Sequence, residues 1–109
     1  MKNLLLILAL AASLIGCATP PPAPPQHTTL FRPGEYGSKY YRIPALVTTT
    51  QGTLLAVADR RIESQGDLPN AIDLVLRRST DNGATWSEPI TIARHTEETG
   101  YGDAAVVVD

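Results

Sequence analysis

Hydrophobic and polar positions alternate along much of this chain. In Ile72 to Arg78, Ile72, Leu74 and Leu76 fall on one side and Asp73, Val75 and Arg77 on the other. That period of two predicts a strand. A second apolar segment, Glu88 to Ala93, follows, with its strand expected at Ile90 to Ala93. Between the two lies Ser79-Thr80-Asp81-Asn82-Gly83-Ala84-Thr85-Trp86, whose Asn82-Gly83 pair accepts the positive φ of a tight turn. The three pieces together predict a β-hairpin. Upstream, Tyr41-Arg42-Ile43-Pro44 leads into a strand over Ala45 to Thr49, with the proline at its start, where a missing N–H is tolerated. Gln51-Gly52 predicts a turn, and Thr53 to Ala58 a strand apolar enough to be buried on both faces. Asp59 to Ala71 reads as a long loop, because Arg60, Arg61, Glu63 and Asp67 suit no core and Gly66 and Pro69 break regular structure. His95 to Gly102 is a further loop, and Ala104 to Val108 predicts a fifth strand.

No helical period of any length appears, so the fold class is all-β. Four short strands in sequence form a meander of the size of one propeller blade, roughly 40–45 residues, and the fifth would open the next. In a meander, alternate connections lie at opposite ends. One end therefore gathers Arg42, Arg60, Arg61, Asp67 and Asp103, while Gln51-Gly52 and the octet share the other. An arginine there can grip a planar carboxylate with two parallel hydrogen bonds. A neighbouring carboxyl can serve as acid or base where its surroundings raise its pKa. By residue type alone, these groups are equally well solvated loop charges that pair with one another.

Composition narrows the classes. The chain has 109 residues, one small domain at most, and a formal charge of −2. It has no basic patch to neutralise phosphates, which argues against a nucleic-acid partner. Its single cysteine, Cys17, excludes an internal disulfide and any cysteine-based metal cage. Cys17 follows Lys2 and an apolar run from Leu4 to Ile15, twelve residues, the length of a signal-peptide core and short of a bilayer span. Leu14-Ile15-Gly16-Cys17 resembles the lipobox of bacterial lipoproteins. Residues 1–16 are thus expected to be a signal peptide, and Cys17 a lipidation site that anchors the chain to the cell envelope. Pro20, Pro21, Pro22, Pro24 and Pro25 make residues 17–27 an extended tether of about 3.1 Å per residue. The folded part is expected over residues 28–109. Without Lys2 it keeps eight basic against eleven acidic residues.

The octet matches S-x-D-x-G-x-T-W at every fixed position and resembles the Asp box of sialidases and other β-propellers. That motif is structural: Ser79 and Asp81 can lock the turn through its N–H groups, and Trp86 supplies an apolar body. Tyr41-Arg42-Ile43-Pro44 is similar to the [FY]-R-I-P motif that opens sialidases. Arg61, Asp67 and Arg77-Arg78-Ser79-Thr80-Asp81 follow at the family's spacing, and Gly102 to Asp109 resembles the start of its second blade. The resemblance implies the first blade of a six-bladed propeller plus the first strand of the next, truncated, in an exo-α-sialidase acting on sialylated glycoconjugates without cofactor or metal. It implies that Arg42 is the first of three arginines on the sialic acid carboxylate, Asp67 the general acid/base, and Arg61 and Asp103 contacts to the sugar near C4 and C5. Sialidases use a tyrosine nucleophile instead of the two-carboxylate scheme, since a carboxylate would approach the substrate's own carboxylate against like charge. That tyrosine, its glutamate and the other two arginines are expected in later blades, so this chain is expected to be an inactive amino-terminal fragment. The alternative from another class is a non-catalytic Asp-box lipoprotein that binds glycans or protein.

Overall fold

The computed structural model describes residues 19, 21–23 and 26–109. The apolar leader, the lipid site at Cys17 and part of the proline-rich tether lie outside the described residues. Four strands form one antiparallel sheet in sequence order: β1 (Tyr40–Thr48), β2 (Leu54–Arg61), β3 (Ile72–Ser79) and β4 (Ile90–Ala93). There is no helix among the described residues. The meander and its sorting of loops to two ends are as the sequence predicts.

Two boundaries differ from expectation. β2 runs on through Asp59, Arg60 and Arg61, which the sequence assigns to the loop. Charge is accepted there because each arginine finds a carboxylate within the sheet: Arg60 bonds Asp73 across the strand, and Arg61 bonds Asp59 two residues back on the same face. β1 begins at Tyr40 and absorbs Arg42-Ile43-Pro44 through a bulge between Arg42 and Ala45. Ile43 there has φ 52°, a left-handed value unusual for a β-branched residue. The expected fifth strand, Ala104 to Val108, is not formed. A strand exists through its ladder, and none of the described segments pairs with this one.

The core is narrow: Ala56, Val57, Ala58, Ile72 and Val75 are buried, all on the two central strands. Cross-strand register gives the sheet two unlike faces. Tyr40, Arg42, Asp59, Arg61 and Ile72 share one, while Tyr41, Ala58, Arg60, Asp73 and Val75 share the other. The segment before β1 packs on the second face, where Phe31 lies 5.4 Å from the Tyr41 ring and the Leu30 carbonyl accepts from Arg77. Leu46 and Ile92 stay exposed on the outer strands.

The octet closes the β3–β4 connection as a locked turn. Ser79 Oγ accepts the Gly83 N–H at 2.8 Å and donates to Asp81 Oδ1, which also accepts the Thr85 N–H at 2.9 Å. Asn82 and Gly83 both take positive φ, at 56° and 88°, and Trp86 Nε1 donates to the Gly83 carbonyl.

Candidate active site

The site lies where β1 begins, β2 ends and β3 begins. Cross-strand pairing puts Arg42 beside Asp59, and Tyr40 beside Arg61, on one face. The β2–β3 loop then folds back over them. Arg61 Nη1 donates to the carbonyls of Gln65 at 2.6 Å and Gly66 at 2.9 Å, and lies 2.8 Å from Asp67 Oδ1. Arg42 Nη1 donates to Gln65 O at 3.1 Å and lies 3.7 Å from the same Asp67 oxygen. The Asp67 carboxylate is therefore presented outward, 79% exposed, by two guanidinium groups of very different accessibility: Arg42 is 46% exposed and Arg61 2%.

Strand alternation separates Arg60 from Arg61. The Arg60 side chain crosses to the opposite face, where it bonds Asp73 Oδ2 at 2.6 Å and Thr91. Of the two neighbours, only Arg61 joins Asp67. Burial by itself lowers the Arg61 pKa, but the hydrogen bonds it donates to Asp67 and Asp59 outweigh it and hold the guanidinium above its ordinary value. Its Nε is buried without a partner among the described residues.

Asp103 reaches this end through its backbone. The His95–Gly102 loop docks by the Tyr101 N–H on the Ile72 carbonyl, and the Asp103 N–H donates to Asp59 Oδ1 at 3.0 Å. Asp103 has φ 58° and an exposed side chain, and no bond ties its carboxylate to Arg42, Arg61 or Asp67. Arg42, Arg61 and Asp67 thus form one cluster, with Asp103 beside it.

Two residues at this end escaped the sequence reading. Asp59 is buried and bonds both Arg61 and the Asp103 amide. Asp73, also buried, accepts both the backbone N–H and the Nδ1–H of His95 besides Arg60. A carboxylate can only accept, so His95 carries its proton on Nδ1. An aspartate within an otherwise apolar strand is the signal that could have found both, because a buried charge requires partners.

No family model matches the chain. A sialidase of Bacteroides fragilis is 41% identical to it over 83 residues, covering 70% of this chain and 15% of the relative. A sialidase of Micromonospora viridifaciens is 36% identical over 104 residues, covering 91% of this chain and 16% of the relative. Among solved structures, the NanB sialidase of Streptococcus pneumoniae superposes with a TM-score of 0.58 at 35% identity, over 62% of this chain and 10% of that one. The intramolecular trans-sialidase of Ruminococcus gnavus gives 0.52 at 31% identity, over 60% of this chain and 14% of that one. The chain spans 15% and 16% of the length of these two curated relatives. Sequence and fold agree over the described sheet, and this chain is similar to a fragment of a sialidase, one sheet of that fold.

Proposed function

We propose that this chain supplies the first blade of an exo-α-sialidase, and with it the acid/base and part of the substrate grip. The observation that carries the reading is the cluster itself: an exposed Asp67 carboxylate held beside Arg42 and Arg61 at the blade end where three loops converge. Arg42, half exposed, has room to turn from Asp67 to a substrate carboxylate and bind it through two parallel bonds. Asp67 protonates the departing glycosidic oxygen and later takes a proton from the attacking water. Arg61 and Asp103 are the contacts to the sugar near C4 and C5, with the exposed Asp103 carboxylate at the rim. The tyrosine nucleophile, its glutamate and two further arginines belong to later blades of the complete protein. The substrates are sialylated glycoconjugates, reached from the envelope surface through a lipid on Cys17.

The test uses the complete protein with two substrates. An alkoxide from galactose leaves poorly and requires the proton, whereas an activated aryl oxide leaves largely unaided. Asp67→Ala is expected to cut kcat/KM on a natural sialoside on the order of 10²–10⁴-fold, with a much smaller loss on an aryl sialoside. Arg42→Ala is expected to weaken both alike, since both carry the carboxylate. Equal losses for Asp67→Ala would remove it as the acid. No turnover by the unsubstituted protein would leave the glycan-binding alternative.

A further inference from the structure

We propose that Asp59 is a positioning residue that ties two loops of the site into one unit. Its carboxylate is fully buried, at 0% exposure, and each oxygen serves a different loop. Oδ2 accepts from Arg61 Nη2 at 3.0 Å, and Arg61 in turn holds Gln65, Gly66 and Asp67. Oδ1 accepts the Asp103 N–H at 3.0 Å, 44 residues further along the chain. A buried carboxylate needs partners of this kind, and here both partners belong to segments that carry candidate site residues.

Two local features show that the second contact is built. A Cβ at Gly102 would lie 3.1 Å from Asp59 Oδ2 and 3.5 Å from its Cγ, so the backbone passes the carboxylate at a distance that only glycine allows without a shift. Asp103 then takes a left-handed φ of 58°, a conformation that persists where its surroundings fix it. Asp59 and Arg61 stand two apart on β2, on one face and inside the ladder, so both hold a fixed height above the sheet. The chemistry requires a carboxylate. An asparagine could still accept the Asp103 N–H through its oxygen, but its amide would turn a donor toward the Arg61 donor. The positions of Asp67 and Asp103 are thereby coupled, although no bond joins their side chains.

This inference deepens the sialidase reading, and only its kinetic arm rests on that reading. The experiment is hydrogen exchange on the complete protein, comparing the unsubstituted chain with Asp59→Ala and Asp59→Asn. Asp59→Ala is expected to speed exchange at Gly66, Asn70 and Asp103 together, by about tenfold or more, while Val75 on β3 stays protected. Asp59→Asn is expected to loosen Gly66 and Asn70 but to keep Asp103 protected. Unchanged exchange at both loops in Asp59→Ala would overturn the proposal. Should Asp59→Ala unfold outright, Asp59→Asn decides, and uniform gain across the sheet in that variant overturns it too. In the kinetic arm, Asp59→Asn is expected to lower kcat on a natural sialoside on the order of 10²-fold and to spare an aryl sialoside. Equal losses on both would sever Asp59 from Asp67. An unsubstituted protein inert on both sialosides refutes the sialidase reading alone, and the exchange result still stands.

Discussion

Arg60 and Arg61 are adjacent in β2, yet they neutralise different buried carboxylates on opposite faces: Arg60 bonds Asp73 at 2.6 Å and Arg61 bonds Asp59 at 3.0 Å. One arginine belongs to the fold and the other to the site. Arg60→Ala strips a buried carboxylate of its cation and leaves only His95 to satisfy it. It is expected to destabilise the complete protein by about 3 kcal/mol, the low end for breaking a buried pair, because the His95 bonds remain. Turnover of an aryl sialoside well below the unfolding temperature is expected to stay at the parent level, whereas Arg61→Ala loses it. Chemical denaturation and kcat/KM on both variants check this, and matched activity losses would refute the division.

Acid should release the same face. Burial pushes the Asp73 carboxyl up, but the Arg60 guanidinium and the N–H groups of His95 outweigh it and hold it below its ordinary 3.8. A folded value below the unfolded one stabilises the protein above the unfolded pKa, and that contribution is lost as pH falls through the folded one. Stability measured downward from about pH 5 is expected to fall more steeply in the parent than in Asp73→Asn. Parallel curves would show that Asp73 contributes nothing to the slope.

The Asp-box turn responds to acid as well. The Thr85 hydroxyl, then the Thr85 amide and the Ser79 hydroxyl, draw the Asp81 carboxyl down to about 2. The turn is thus held together above 3.8 and opens as pH falls toward about 2. Trp86 reports it, since its Nε1 bonds the Gly83 carbonyl within that turn. Its fluorescence is expected to shift across this window, and the shift should vanish in Asp81→Ala, which has lost the clasp at every pH. A shift that persists in the variant would place its origin elsewhere.

The isolated sheet should not stand alone. Five buried apolar residues are a small core, and Leu46, Ile90 and Ile92 are 66%, 45% and 52% exposed. A single four-stranded sheet with uncovered faces and edges lacks the burial to offset its chain entropy. Residues 28–109 expressed alone are expected to aggregate or remain largely unfolded and to hydrolyse no sialoside. Sharp, dispersed amide signals from a monomer would contradict this.

Lipidation is checked separately. Cys17→Ser in the complete protein is expected to abolish incorporation of labelled fatty acid and to move the protein from the membrane fraction to the soluble one. Labelling that survives the substitution would point to another anchor.

Local patterns carried much of this structure. Asn82-Gly83 between two alternating segments is a short-range signal, and the hairpin formed where it indicated. The sorting of loops needed only strand order, and it brought Arg42, Arg61 and Asp67 to one end. Long-range pairing was not legible. Nothing local says that Asp59 and Arg60 stay inside the ladder, because their charges become acceptable only once Arg61 and Asp73 are known to face them. The same gap explains Ala104 to Val108, whose apolar alternation fits a strand while strand formation depends on a partner. The roles of Asp59 and Asp73 were hidden for this reason too, since each has one partner more than twenty residues away, the Asp103 N–H for Asp59 and His95 for Asp73.

The bulge in β1 has a consequence for how this site tolerates change. Arg42 pairs with Asp59 and Ala45 with Val57, so β1 spends one residue more than β2 over the same interval. Side chains in a strand alternate, and that extra residue resets the alternation. Arg42 shares the Asp67 side with Ala45, three steps away, only because the bulge takes up one of those steps. Straightening β1 with Ile43 kept and Ala45 in register would set Arg42 opposite Arg60, turned toward Asp73 and away from Asp67. The aim of this arginine is therefore a matter of counting: it holds only while the bulge, with Ile43 at its left-handed φ, absorbs the odd residue.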